Sequence, residues 1–324
     1  MRRVALLAVA LATSIGPAQP PGPEPGSAWL LVAHVKARRI AIDPADPGSQ
    51  TELADREPRG ELSPDGSRVV FPGSPDDGGV ALFIADVADE TPHRTRNTRQ
   101  VTRAMEHVAD AHWLADGRHL VFTAAAEGRP TVHLIDTAED KPTLRRLSAP
   151  GEQAHNPRPG PRGLIAYRTV TTDRKPQPGD LLLADADTGE RRTLLRDRPL
   201  ITSIRWSPDG TRIACSTAGS LIIVGPADGS FSETPYTKID ASLTSHFAGA
   251  LALRPDGRLI ALRAHFAGGT AEIEGAPAPP PPPWETLVYM VPVEGGRPDP
   301  AAASAIPGPP HIFELSWIAA GDTD

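Results

Sequence analysis

The chain has 324 residues, of which 39% are hydrophobic and 23% are charged. These proportions are ordinary for a folded globular protein, so they exclude a wholly disordered chain even though 37 residues are proline. The net charge of -7 at pH 7 gives no basic field, which argues against binding to nucleic acid or to anionic lipid.

The N-terminus has the pattern of a secretory signal peptide. Met1, Arg2 and Arg3 form a short basic region, and the apolar run Val4 to Ala12 follows it. This run is much shorter than the roughly 20 residues that cross a bilayer, and no later run is longer, so we expect no membrane insertion. We predict a signal peptide over residues 1–18, a Pro/Gly-rich leader over 19–27, and an exported mature domain over 28–324.

Cys215 is the single cysteine of the chain, so no intrachain disulfide can form, and no cysteine follows the apolar run to accept a lipid. Its neighbours Ile213 and Ala214 are apolar. We therefore interpret Cys215 as a small buried hydrophobic residue and not as a nucleophile.

One short motif recurs along the mature chain. It pairs an aspartate with a glycine, after a tryptophan or leucine, at Asp65-Gly66, Asp116-Gly117, Asp209-Gly210 and Asp256-Gly257, with a degenerate copy at Pro159 to Gly163. The five glycines are separated by 51, 46, 47 and 47 residues. Proline presets the turn, aspartate can accept a backbone hydrogen bond, and glycine takes the left-handed conformation, so each copy predicts a structural hairpin turn.

The spacing of these turns matches one blade of a β-propeller. Each turn precedes an apolar strand, a further strand that ends in a second turn, and a short fourth strand. Examples of the third and fourth strands are Ala81 to Val87, Leu221 to Gly229, Leu144 to Ser148 and Arg191 to Leu195. Four antiparallel strands per repeat predict an all-β protein made of propeller blades.

Five blades are continuous in the sequence, and the two ends supply a sixth. Phe313 to Trp317 has the pattern of an innermost strand with nothing after it, and Trp29 to His34, Arg38 to Asp43 and Thr51 to Ala54 follow as the other three. Pairing the C-terminal strand with the N-terminal strands would close a six-bladed ring and remove its free strand edges.

The repeated Pro-Asp-Gly turns with a preceding tryptophan or leucine resemble the WD40-like (PD40) repeats of the TolB-like propeller family. The resemblance covers nearly the whole mature chain, although Ala115 replaces the proline of the second repeat. TolB-type proteins carry an additional N-terminal α/β domain, whereas the leader here runs directly into the first predicted strand. We therefore carry over the propeller fold and not the functions of that domain.

Four histidines lie 8 to 11 residues before the turn glycine of their repeats, in the connections that would enter the innermost strands: His107, His155, His246 and His311. Such connections converge at one mouth of a propeller channel. His155, His246 and His311 could there hold a divalent metal, as in some lyases with TolB-like propellers. The alternative is that these histidines are solvated loop residues without a common centre, and we expect neither a metal nor a cofactor.

Two further features have alternative interpretations. Trp113, Trp206 and Trp317 occupy equivalent places, where we expect them to pack between blades and not to stack on a ligand. The run Pro279, Pro280, Pro281, Pro282 and Pro283 predicts an extended surface segment, which is either a stiff loop or a docking segment for an aromatic groove.

The sequence lacks the phosphate-binding, zinc-protease and nucleophile-elbow motifs, so we expect no catalytic residues. Our leading hypothesis is a monomeric, non-enzymatic exported scaffold whose channel mouth binds a protein or peptide. The alternatives are a metal-dependent polysaccharide lyase or hydrolase that uses the channel histidines, and a sensor propeller that binds a small molecule.

Overall fold

The computed structural model describes residues 29–35, 38–43, 45–53, 60–76, 78–87, 95–126, 128–139, 142–170, 178–239, 248–254, 256–265, 286–308 and 314–319. The signal peptide and leader predicted over residues 1–27 lie outside these ranges. His246, His311 and the run Pro279 to Pro283 also lie outside them.

The described residues form six antiparallel sheets, and in four of them each strand pairs only with the strands next to it in sequence. The first described strands are β1 (Trp29–Val35), β2 (Arg38–Asp43) and β3 (Asp46–Leu53), which belong to the sixth sheet. The first sheet follows, with β4 (Glu61–Leu62), β5 (Arg68–Gly73), β6 (Ala81–Val87) and β7 (Thr95–Gln100). The second contains β8 (His107–Trp113), β9 (His119–Ala126), β10 (Arg129–Asp136) and β11 (Arg145–Arg146).

The next two sheets repeat this order of strands. The third contains β12 (Gln153–Pro159), β13 (Leu164–Val170), β14 (Gly179–Asp185) and β15 (Arg191–Arg198). The fourth contains β16 (Ser203–Trp206), β17 (Ile213–Ser216), β18 (Ser220–Val224) and β19 (Phe231–Pro235), followed by the short helix α1 (Tyr236–Ile239). No helix within the described residues is long and apolar enough to span a membrane.

The fifth sheet is larger than the others. It contains β20 (Ala248–Leu253), β21 (Leu259–His265), β22 (Thr286–Glu294), β23 (Arg297–Pro298) and β24 (Ser304–Gly308), of which β23 and β24 both pair with β22. The sixth sheet has the order β25-β1-β2-β3, where β25 (Glu314–Ala319) is the last described strand. Trp317 pairs with Leu31, so strands from the two ends of the chain form one sheet.

The predicted strands need several corrections. Leu221 to Gly229 was predicted as a strand that ends in a glycine turn; the strand ends at Val224, and the turn begins at Gly225, whose N–H donates to the Ser230 carbonyl at 2.7 Å. The strand predicted over Leu144 to Ser148 contains only Arg145–Arg146. In contrast, the strand predicted from Thr51 begins at Asp46. The helix α1 and the strands β23 and β24 were not predicted.

Apolar side chains lie between consecutive sheets. Five apolar clusters lie one between each pair of consecutive sheets, from the first and second to the fifth and sixth. In the cluster between the fifth and sixth sheets, Ile42 and Leu315 pack with Ala252 and Met290. The described residues include no such cluster between the sixth and first sheets. The middle strands of a sheet are covered on both faces, and in β17 (Ile213–Ser216) all four residues are buried.

Candidate functional site at the inner strands of the second and third sheets

The repeated turns have the geometry that their residue types favour. Gly66, Gly117, Gly210 and Gly257 have φ angles of 71°, 62°, 68° and 70°, in the left-handed region. Each aspartate before them accepts a hydrogen bond from the backbone N–H two residues later, at 2.8 to 3.0 Å; the acceptors are Asp65, Asp116, Asp209 and Asp256. These contacts describe a structural role for the turn residues.

Trp113 and Trp206 pack between sheets, and the side chain of Trp317 lies outside the described part of the chain. Trp113 is buried in the cluster between the first and second sheets, and its indole N–H donates to the Glu61 carbonyl at 3.1 Å. Trp206 makes the same contact between the fourth and third sheets, where its indole N–H donates to the Arg158 carbonyl at 3.0 Å. Both side chains therefore join neighbouring sheets, as packing between blades requires.

Glu61 makes a second link between the first and second sheets. Its carboxylate accepts a hydrogen bond from the Trp113 backbone N–H at 3.0 Å and contacts His112 Nδ1. His112 Nε2 is buried and has no hydrogen-bond partner among the described residues. Glu61 directly precedes Leu62, and His112 directly precedes Trp113, the equivalent residue of the next repeat. Equivalent residues of two neighbouring sheets are therefore in contact at this position.

Cys215 is fully buried, and this burial raises the pKa of its thiol to about 12. A thiol of this kind is protonated at neutral pH and has no access to solvent. The side chain acts as a small hydrophobic residue in the cluster between the third and fourth sheets.

The structure brings together two of the four predicted histidines. His107 is the exposed first residue of β8, and His155 lies half-buried in β12, so both belong to inner strands and not to the connections where we expected them. The strands begin earlier than predicted because each continues through a β-bulge. The bulges lie between Ala109 and His112 in β8, and between His155 and Arg158 in β12.

Each bulge contains a residue with a left-handed backbone. Asp110 has a φ angle of 51° and Asn156 has a φ angle of 52°, and these two residue types tolerate that region better than most others. Both lie seven residues before the turn glycine of their repeat, at Gly117 and Gly163. The sequence analysis did not identify Asp110 and Asn156. Their equal distance from the turn glycine and their residue types could have indicated the two bulges.

The charges around His155 come from two sheets. Burial lowers the pKa of His155 to about 4, and the electrostatic interactions with Arg168 and His107 act in the same direction, whereas Asp110 opposes them. Burial also lowers the pKa of Arg168, again against Asp110. His155 is therefore neutral at pH 7, and His107, Asp110, His155 and Arg168 form one polar cluster, which we name the inner-strand cluster.

Two arginines, Arg158 of β12 and Arg168 of β13, carry three buried donor atoms that lack an acceptor. They are Nε and Nη1 of Arg158 and Nε of Arg168, and none of them has a hydrogen-bond partner among the described residues. Arginine donors of this kind match carboxylate and phosphate oxygens. In the described part of the chain, no three His, Cys, Asp or Glu side chains are grouped so that they could hold a metal ion.

The shape of the chain agrees with known propeller structures. TolB from Acinetobacter baumannii matches it with a TM-score of 0.54 at 16% identity, over 90% of this chain and 66% of that one. The chain has the fold of the TolB β-propeller. It spans about two thirds of the length of that TolB chain.

Other solved structures match at lower scores. A putative TolB from Agrobacterium tumefaciens has a TM-score of 0.49 at 15% identity, covering 90% of this chain and 94% of that one. A putative 6-phosphogluconolactonase from Bacteroides uniformis has a TM-score of 0.48 at 15% identity, covering 87% and 83%. No protein-family model and no curated protein sequence matches the propeller.

Proposed function

We propose that the chain is a six-bladed propeller closed by β25, and that it is an exported, non-enzymatic scaffold that binds a protein or peptide at the channel mouth. The observation that carries the binding proposal is the inner-strand cluster. It combines charged and neutral polar groups from two neighbouring sheets, beside buried arginine donors that have no acceptor. Buried donors of this kind favour an external acceptor, because leaving them unpaired is costly.

The inner strands place this cluster at one end of the third sheet. Leu164 pairs with Asp185 at the end that carries the Gly163 turn, whereas Arg168 pairs with Leu181 farther along β13 and with His155 on β12. In a propeller, the same ends of all inner strands surround one opening of the channel. A partner bound there would contact several blades at once.

Site-specific photo-crosslinking tests this location. A photoreactive amino acid at His107, which is exposed at the start of β8, should give adducts with a partner in an envelope extract. The matched control is the same group at Asp187, which is exposed beyond the opposite end of β14. Adducts at position 187 and none at position 107 would place binding elsewhere and would contradict the proposal.

The proposed lack of a metal-dependent active site has its own test. Elemental analysis of protein purified without chelator should find no stoichiometric transition metal. One metal per chain that is lost when His107 and His155 are both replaced by alanine would favour a metal-dependent enzyme over a scaffold.

Ring closure is tested by truncation. Deleting residues 311–324 removes β25, its pairing with β1, and Leu315 from the cluster that contains Ile42. We expect the melting temperature to fall sharply, because apolar surface is exposed on two neighbouring sheets. The control deletion of residues 320–324 leaves β25 intact. Equal melting temperatures for the two deletions would contradict the closed ring.

A further inference from the structure

Three side chains of the inner-strand region lie on one face of the third sheet. His155 pairs with Arg168, and Arg158 pairs with Ala166. Directly paired residues share a face, and so do alternate residues of one strand. Since positions 166 and 168 of β13 are two apart, His155, Arg158 and Arg168 all lie on this face.

The bulge at Asn156 creates this arrangement. His155 and Arg158 are three residues apart, so in a regular strand their side chains would point to opposite faces. The extra residue of the bulge restores a common face, and its left-handed backbone is recorded at Asn156 with a φ angle of 52°. The bulge therefore places the side chain of Arg158 on the same face as those of His155 and Arg168.

The charges on this face do not balance within the described residues. Asp110 is the one carboxylate that influences both His155 and Arg168, while His155 is neutral at pH 7. Arg158 and Arg168 contribute two guanidinium groups, with three buried N–H donors that lack a partner. An uncompensated buried guanidinium is costly, so an anion from outside would stabilise this face.

Three other sheets have a polar residue at the level of Arg168. The positions equivalent to Arg168 on the second strands of the second, fourth and fifth sheets are Thr123, Ser216 and Arg263, whereas the first sheet has Pro72 there. Thr123 Oγ1 and Arg263 Nε are buried and, like Arg168 Nε, have no partner among the described residues. Unpaired donors thus recur at this level in an otherwise apolar core.

We infer that Arg158 and Arg168 form a carboxylate-binding site, whose occupant is an acidic side chain or the C-terminus of a bound peptide. This inference rests on the proposed peptide-binding function and adds the chemistry of the partner. The planar arginine fork matches the two oxygens of a carboxylate, and charge-assisted hydrogen bonds are the stronger ones.

Fluorescence anisotropy with a defined probe tests the site. The probe is a dye-labelled hexapeptide of alternating glycine and glutamate with a free C-terminus. One control peptide has glutamine in place of each glutamate, and a second control peptide keeps the glutamates but has an amidated C-terminus. We expect Arg158→Gln and Arg168→Gln each to weaken probe binding about tenfold or more. The control Arg196→Gln alters an exposed arginine of β15 and should leave binding unchanged.

The two peptide controls distinguish the source of the carboxylate. Loss of binding with the glutamine peptide assigns the site to acidic side chains, and loss with the amidated peptide assigns it to a C-terminus. Each variant is first compared with the wild type by circular dichroism. If a glutamine variant does not fold, Arg158→Lys or Arg168→Lys keeps the charge without the fork and should bind the probe more weakly than the wild type.

Two results would overturn the inference. One is equal binding of the probe to the wild type and to the folded arginine variants, and the other is no binding to the wild type at millimolar concentration. If photo-crosslinking at position 107 succeeds while the probe fails, the peptide-binding function stands and the carboxylate chemistry is wrong. Failure of crosslinking at position 107 contradicts the binding function itself.

Discussion

The turns of the third and fourth sheets solve one structural problem in two ways. In the fourth, Asp209 Oδ1 accepts from Ser207 Oγ at 2.6 Å and from the Thr211 backbone N–H at 2.9 Å. The third turn has Arg162 at the corresponding position, with a left-handed φ angle of 57°, followed by Gly163 at 72°. The fourth turn is stabilised by the hydrogen bonds of its aspartate, whereas the third turn has no aspartate at this position.

Contacts with the neighbouring turn replace the aspartate. A Cβ atom at Gly160 would lie 2.3 Å from the Trp206 ring, and one at Gly210 would lie 2.1 Å from Pro161 Cγ. The third and fourth turns therefore interlock: the Trp206 ring packs against Gly160, and the Pro161 ring packs against Gly210. The comparison teaches that a repeat can lose its motif residues when packing against the next repeat fixes the same backbone.

Gly210→Ala should have the largest effect on this arrangement. It combines a left-handed backbone with the contact to Pro161, so we expect a loss of about 3 kcal/mol in the free energy of unfolding, measured by urea denaturation. The control Gly66→Ala has a similar φ angle and no atom within 4 Å of the added carbon, so it should lose about 1 kcal/mol. Equal losses would mean that interlocking contributes nothing.

Gly160→Ala isolates packing from backbone strain. The φ angle of Gly160 is -120°, which alanine adopts readily, so the contact with the Trp206 ring accounts for the whole effect. We expect a loss of about 2 kcal/mol in the same measurement. Gly219→Ala, which adds a carbon to open space, is the matched control and should be close to neutral. A neutral Gly160→Ala would show that the two turns move apart freely.

Asp209→Ala tests the hydrogen bonds of the intact turn. The variant loses the acceptor for Ser207 and Thr211, and we expect a loss of about 1 kcal/mol. Asp209→Asn keeps one acceptor oxygen and should lose less. A fourth turn that is as stable with alanine as with aspartate would imply that interlocking with Pro161 alone is sufficient there too.

The smallest expected effect is on the pH dependence of stability. Hydrogen bonds from Ser63 and Ser67 lower the pKa of Asp65 from 3.8 to about 2. A lowered pKa in the folded state gives stability that is present above the unfolded value and lost as the pH falls toward about 2. In Asp65→Asn, the free energy of unfolding should fall less steeply below pH 4 than in the wild type. Identical slopes would show that this exposed aspartate is not coupled to folding.

Much of the sheet arrangement could be predicted from the sequence. The Asp-Gly turns are local signals, because proline fixes φ, aspartate accepts a backbone hydrogen bond and glycine permits the left-handed conformation. The strands Arg38–Asp43 and Ala81–Val87 have the predicted bounds. Shorter strands such as Arg145–Arg146 could not be delimited, since residues at a sheet edge lack the apolar alternation that defines a strand. The positions of His107 and His155 were predicted as loops because the extra residue of each bulge breaks the alternation by which a strand is recognised.

The sequence by itself determined the repeat and the turns, because both depend on residues that are close along the chain. Only the tertiary structure decided which side chains meet. Arg158 and Arg168 are ten residues apart, and neither lies in a recognisable motif. They share a face because of one left-handed residue, Asn156, and the register of β12 with β13. Such a site depends on strand pairing and burial, which arise only when the sheets pack together.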